Sequence, residues 1–250
     1  MTVQVRRDRE IYSVDGGWFQ ARWHFSFDQY RDPANMGFGN MRVFNDDRLV
    51  PGAIWPLHPH RDIEGLTYVV EGSFRHEDDV GGAPGPLPAG SVQRMTLGSG
   101  AWHSEQNASQ TDGMRFIQVW IIPSERSLTP GVEQKAFTAE DRTGRLLRAI
   151  SPDGGDDVTV HGNASMYLAR LAPGTELEHQ IPQGMGHYLY VIAGALDVNG
   201  QRLSTGDAAR VSDEPALGVR SLEFDPGGIE TGKPGADGST ELISMEVDLT

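Results

Sequence analysis

The 250-residue chain contains no cysteine. That absence excludes a disulfide framework, an iron–sulfur cluster and any thiolate metal site. A metal held by this chain must take its donors from His, Asp and Glu. Positive charge is scarce: 21 Lys and Arg stand against 35 Asp and Glu, a net charge of −14. Sequence-independent binding to nucleic acid and docking on an anionic membrane both depend on basic side chains, so neither is expected. No apolar run approaches the roughly 18–20 residues of a membrane span. The first ten residues carry charges where a signal peptide needs an apolar stretch, and a cytoplasmic protein is expected. Long helical periodicity is also missing, and only 28–35 and 138–142 suggest short helical turns.

What the chain does have is strand signal. Segments rich in Val, Ile, Tyr, Phe and Trp recur between clusters of Gly, Pro, Asn and Asp, which total 31 Gly and 15 Pro over the chain. Examples are 18–27, 66–74, 114–122, 164–171, 186–192 and 241–247. Strands with frequent turns and little helix predict an all-β fold of sandwich or barrel type. A weak internal repeat divides it. Tyr68-Val69-Val70-Glu71-Gly72-Ser73-Phe74 aligns with Tyr190-Val191-Ile192-Ala193-Gly194-Ala195-Leu196. Downstream in each copy, Gly90 and Gly206 precede a further strand. Asn199-Gly200 between strands is a type I′ hairpin signal. Two similar β domains, 1–130 and 131–250, are expected.

Residues 52–107 carry the chemistry. His58-Pro59-His60 and His103-Ser104-Glu105 are both i, i+2 pairs. On a strand such residues project from one face, so two adjacent strands bring four donors to one ion. Three imidazoles and a carboxylate suit Fe(II), Mn(II), Ni(II), Cu(II) or Zn(II) and leave positions open for O2 or a chelating substrate. Ser104 alternates to the opposite face and is a packing residue.

At these residues the chain resembles the cupin superfamily. Gly52, His58, His60, Glu64 and Gly72 follow its first motif; Gly100, His103 and Asn107 follow the end of its second. More narrowly it is similar to bacterial pirins, through Phe38-Gly39-Asn40-Met41-Arg42-Val43, Asn45-Asp46-Asp47, His58 to Glu64, Gln93-Arg94-Met95, His103-Ser104-Glu105 and Gln118-Val119-Trp120. The resemblance implies a bicupin, two tandem cupin-type β domains, whose N-terminal domain holds one iron on His58, His60, His103 and Glu105. It also implies either quercetin 2,3-dioxygenase-type activity on a flavonol-like substrate with O2, or metal-dependent binding to transcription or metabolic proteins. For the oxygenase, Glu105 is the candidate base. Glu64 shares the parity of His58 and His60 and is expected to orient a ligand histidine. Departures at 53–57, Gln106 and Asp79 bear on the substrate and not on the metal.

Shifting the ligand positions into the second repeat lands on Gln180, Pro182, Val219 and Ser221, and His179 and His187 lack partners at the right spacing. The C-terminal domain is therefore expected to hold no metal. Gly227 to Lys233 mimics the start of a phosphate-binding loop, but Pro234 replaces its hydroxyl residue, and a hairpin insertion is expected instead. His24, His76 and His161 are expected on the surface or in strands, and His76, on the strand after Gly72, is also a candidate for the pocket lining. Trp18, Trp23 and Trp120 are expected in the core. Trp102 should alternate away from the metal; Trp55 is the better pocket candidate, although parity in a regular strand is against it.

Overall fold

A computed structural model describes residues 2–82, 85–223 and 237–250. Among these there is no α-helix. The only helical turns are two 3-10 segments, Asp8–Glu10 and Glu140–Arg142. In the second, the Asp141 carboxylate accepts from the Thr138 amide and hydroxyl, each at 2.8 Å. The stretch 28–35 contains turns and no helix.

The described residues form two compact units, 12–137 with 150–163, and 1–11 with 138–149 and 164–250. They interleave along the chain and do not divide it at 130. In the first unit, antiparallel strands run in the order Gly131–Ala136, Ser91–Thr96, Glu64–Glu71, Met114–Ile121, Met41–Leu49, Phe19–Trp23, Tyr12–Asp15. A smaller sheet orders Ile54–His60, Ala101–Asn107, Ser73–Asp78 and Leu87–Pro88. Leu49, Val69, Met114 and Phe116 from the large sheet meet Phe74 from the small one in a buried cluster, the two-sheet sandwich that alternating strands require.

The second unit repeats this order. Its large sheet runs Thr2–Arg6, Ala208–Ser212, Met185–Ala193, Thr240–Asp248, Ala164–Leu171, and its small sheet Glu176–Gln180, Ala216–Ser221, Ala195–Val198, Gln201–Ser204. Leu189, Val191 and Leu242 pack against Leu196, Val198, Leu203 and Leu217. The edge that Gly131–Ala136 fills in the first unit is filled here by Thr2–Arg6, far away in sequence. Arg7 seals that edge with an ion pair to buried Asp207 at 2.9 Å.

The repeat is real at the level of single bonds. The Gly90 amide donates to the Val69 carbonyl at 2.8 Å, and the Gly206 amide donates to Val191 at 2.8 Å. Gly72 and Gly194 turn the chain between equivalent strands at φ 82 and 93. Asn199 and Gly200 both have positive φ, 47 and 82, the requirement of a type I′ turn.

Candidate metal centre

The site is built where Ile54–His60 pairs with Ala101–Asn107. His58 lies opposite His103 and His60 opposite Ala101. Between His103 and Glu105 the register slips, so that Glu105 faces Trp55. The slip coincides with Pro56, which has no amide to contribute to a ladder. Such a bulge re-aims side chains, and it turns Trp55 into the cavity against the parity of a regular strand. The Pro56 carbonyl accepts from His58 Nδ1 at 2.7 Å. That bond fixes the tautomer and leaves the Nε2 lone pair free.

The imidazoles of His58, His60 and His103 bring ligand nitrogens within 4.8 Å of one another. Ring centroids lie 4.4 Å apart for His58 and His103, and 4.8 Å for His58 and His60. Glu105 Oε1 is 4.0 Å from His103 Nδ1. His60 Nε2 and both ring nitrogens of His103 are buried without a hydrogen bond. Buried polar atoms are nearly always paired, so an orphaned nitrogen on each of His60 and His103, beside His58, fits a cation. The protonation states agree. Burial, with His58 next, lowers His60 to about 4, and burial with the neighbouring histidines lowers His103 to about 2. Both rings are neutral near pH 7, as metal ligation requires. Burial pushes Glu105 up to about 7. It also raises Asp47, with Glu105 and Asp46 adding to the effect.

These groups open onto a cavity of ≈ 320 Å³ walled by Phe27, Trp55 and Trp120, with Asp28, Asn45, Asp47 and Gln118 as polar lining. Trp55 is braced by Trp18 and Phe19, with centroids at 5.1 and 4.9 Å. Trp120 is a cavity wall and not core, its ring 4.5 Å from His60; Trp23 is core. Asn45/Asp47 and Gln118/Trp120 are i, i+2 pairs on the neighbouring strands Met41–Leu49 and Met114–Ile121, with Asn45 opposite Gln118. The same parity argument that finds the histidines would have found them. Asp46, between its neighbours, points away into a bidentate pair with Arg115 at 2.9 and 2.7 Å. Trp102 is exposed, and Ser104 is buried between the ligand candidates.

Glu64 does not orient a ligand histidine through any bond seen here. Fully buried, its Oε1 accepts from Thr96 Oγ1 at 2.8 Å and pairs with His161 Nδ1 at 2.7 Å. Its Oε2 accepts from the amides of His161 and Gly162 at 2.8 and 3.0 Å. Glu64 thus anchors the segment 161–162, and His161 is its partner. His76 lies behind His103, ring centroids 5.4 Å apart, with Nδ1 3.2 Å from the Asp78 carboxylate. His24 is fully buried beside Phe44. The phosphate-loop look-alike at 227–233 lies outside the described residues.

In the second unit, His179 and His187 do have a partner. Glu246 Oε2 lies 3.0 Å from His179 Nε2 and 3.2 Å from His187 Nε2. Shifting the first site along the repeat misses this group, because its third member comes from the strand Thr240–Asp248.

No helix among the described residues is long and apolar enough to cross a membrane. Residues 3–121 match the Pirin family, and residues 149–224 match the quercetinase C-terminal cupin domain. The chain is 37% identical to a quercetin 2,3-dioxygenase of Escherichia coli K12 over 88% of this chain and 94% of the relative. It is 37% identical to a pirin-like protein of Caulobacter vibrioides over 86% and 92%. The crystal structure of the bacterial pirin YhhW of Escherichia coli in complex with nickel(II) superposes with TM-score 0.86, at 32% identity and full coverage of both chains. Two cupin units in one all-β chain, a histidine cluster at the mouth of the first, and relatives of this similarity over nearly their whole length establish that the chain belongs to the pirin family.

Proposed function

We propose that the protein is a quercetin 2,3-dioxygenase-type oxygenase that acts on flavonol-like substrates at one divalent metal held by His58, His60, His103 and Glu105. The observation that carries this reading is the set of orphaned imidazole nitrogens opening onto an aromatic-walled cavity. Its volume sits at the lower end of ligand pockets, which run from about 300 to 1,000 Å³. Iron(II) is the proposed metal, and the nitrogen and oxygen donor set also accepts Mn, Ni, Cu or Zn. When bound, the metal supplies Lewis acidity and a redox partner for O2.

The chain's own residues do the rest. Trp55, Trp120 and Phe27 hold flat rings and exclude water. Glu105 is the base that takes the proton of the substrate's 3-hydroxyl. Asp47, whose pKa burial raises, lines the cavity as a polar contact for a substrate oxygen. The test starts from elemental analysis of protein made without a metal-chelating tag, followed by O2-dependent loss of quercetin absorbance. His58→Ala and Glu105→Ala are expected to abolish turnover. Protein loaded in turn with each of the five metals that left flavonols untouched would sink the reading.

A further inference from the structure

We propose that His179, His187 and Glu246 form a second site for a divalent transition metal of the Zn(II) class, which clips together the two sheets of the second unit. The donors already lie at nearly the separation an ion imposes. Tetrahedral zinc with metal–nitrogen and metal–oxygen bonds of about 2.0–2.2 Å spaces its ligands roughly 3.3–3.5 Å apart. Here the two Nε2 atoms lie 3.0 and 3.2 Å from Glu246 Oε2, and all three ligand atoms are within 4.8 Å of one another.

The surroundings fix the donors. His187, fully buried, is held from behind by Ser244 Oγ, 2.9 Å from its Nδ1, so Nε2 faces the cluster. A bond of this kind on the far nitrogen is the usual way a ligating histidine is oriented. The Tyr167 ring packs 4.7 Å from His179 and 5.9 Å from His187. The His179 side chain is 26% exposed while those of His187 and Glu246 are buried, which gives an ion a way in and leaves room for a water ligand.

The strand logic explains why the repeat does not reveal this group. His187 and Glu246 are cross-strand neighbours, as Gly65 and Trp120 are in the first unit. His179 lies opposite Leu217 on the small sheet, as His60 lies opposite Ala101. Only His179 echoes a candidate ligand of the first site. The other two donors occupy positions where the first unit has a glycine and a cavity wall.

The experiment uses the full chain with the first cluster disabled by His58→Ala and His103→Ala, stripped with EDTA and dialysed against Zn(II). About one equivalent is expected to stay bound, and Co(II) in its place should show the visible bands of a low-symmetry four-coordinate ion. Adding Glu246→Gln or His179→Gln should remove that equivalent and the metal-dependent rise in melting temperature. The partly exposed His179 is the safer change, with circular dichroism checking the fold. If the parent does not fold, the same comparison is wild type, binding two equivalents, against His179→Gln, binding one. A first-cluster-disabled protein that folds but takes up no Zn(II) overturns the proposal. So does an equivalent that survives both Glu246→Gln and His179→Gln, which would place the ion elsewhere.

Discussion

Burial leaves the metal-free cavity with carboxyl groups that keep protons ordinary carboxyls have lost. An acid whose pKa is higher in the folded state stabilises the fold below its unfolded value, and that stability is lost as pH rises towards the folded value. For Glu105 the window runs from 4.5 to about 7. The depressed histidines work in the opposite direction, so the comparison with a variant isolates the carboxyl. Metal-free Glu105→Gln should unfold at higher urea than metal-free wild type at pH 8, with the advantage shrinking towards pH 4.5. An advantage equal at both pH values would contradict the assignment. Glu64 calls for a different test. Its bonds to Thr96 and Gly162 are buried and the two to His161 partly so, and Glu64→Ala should cost about 1–3 kcal/mol in urea unfolding. Metal content should stay unchanged in protein that remains folded; loss of the metal alone would make it a ligand after all. Glu64 also marks the reach of sequence reading at this scale. Parity groups the three histidines, whose ligand nitrogens lie within 4.8 Å of one another. It does not reach Glu64, across the break at 61–63 where Asp62 takes φ 54, and a bulge brings Trp55, the tryptophan expected at the pocket, into the cavity against regular parity.

At the scale of elements, turn glycines make the clearest prediction. A Cβ on Gly72 would sit 2.6 Å from the Gly113 carbonyl oxygen, and one on Gly194 2.8 Å from Thr240 Cα. Gly81 has the same positive φ, 79, with nothing within 4 Å. Gly81→Ala should therefore lose only the backbone term, about 1–2 kcal/mol. Gly72→Ala and Gly194→Ala should each lose more, by clash, in denaturant unfolding. Equal losses at all three would mean that the close approach is relieved cheaply. These turns were legible because strand, glycine, strand is a local pattern. The expected strand at 18–27 is shorter, Phe19–Trp23, because Ser26 Oγ accepts from the Asp32 amide and donates to its carbonyl, at 2.8 and 2.9 Å. That exchange folds the chain into a loop and delivers Phe27 and Asp28 to the cavity.

At the scale of the whole molecule, the second unit depends on residues from the far end of the chain. Val3 and Val5 pack onto its core. Deleting residues 2–6 should destabilise that unit by roughly 2–4 kcal/mol through lost apolar burial and uncover the edge of Ala208–Ser212, inviting association. Calorimetry should show the unfolding of the second unit shifted down, with metal at the first cluster retained. Loss of that metal in the truncated protein would count against the assignment of the strand to the second unit alone. The offset of the repeat made two β domains legible. The origin of this edge strand was not, because nothing in Thr2-Val3-Gln4-Val5-Arg6 distinguishes one open edge from another.

The same strand sets an order of events during synthesis. Its partners, Ala208 to Ser212, leave the ribosome some two hundred residues later, a delay of roughly 10–40 s at the usual pace of translation. Through that interval Thr2-Val3-Gln4-Val5-Arg6 lacks its native partner strand. A strand that waits this long for its partner is where a chaperone would have the greatest influence on yield.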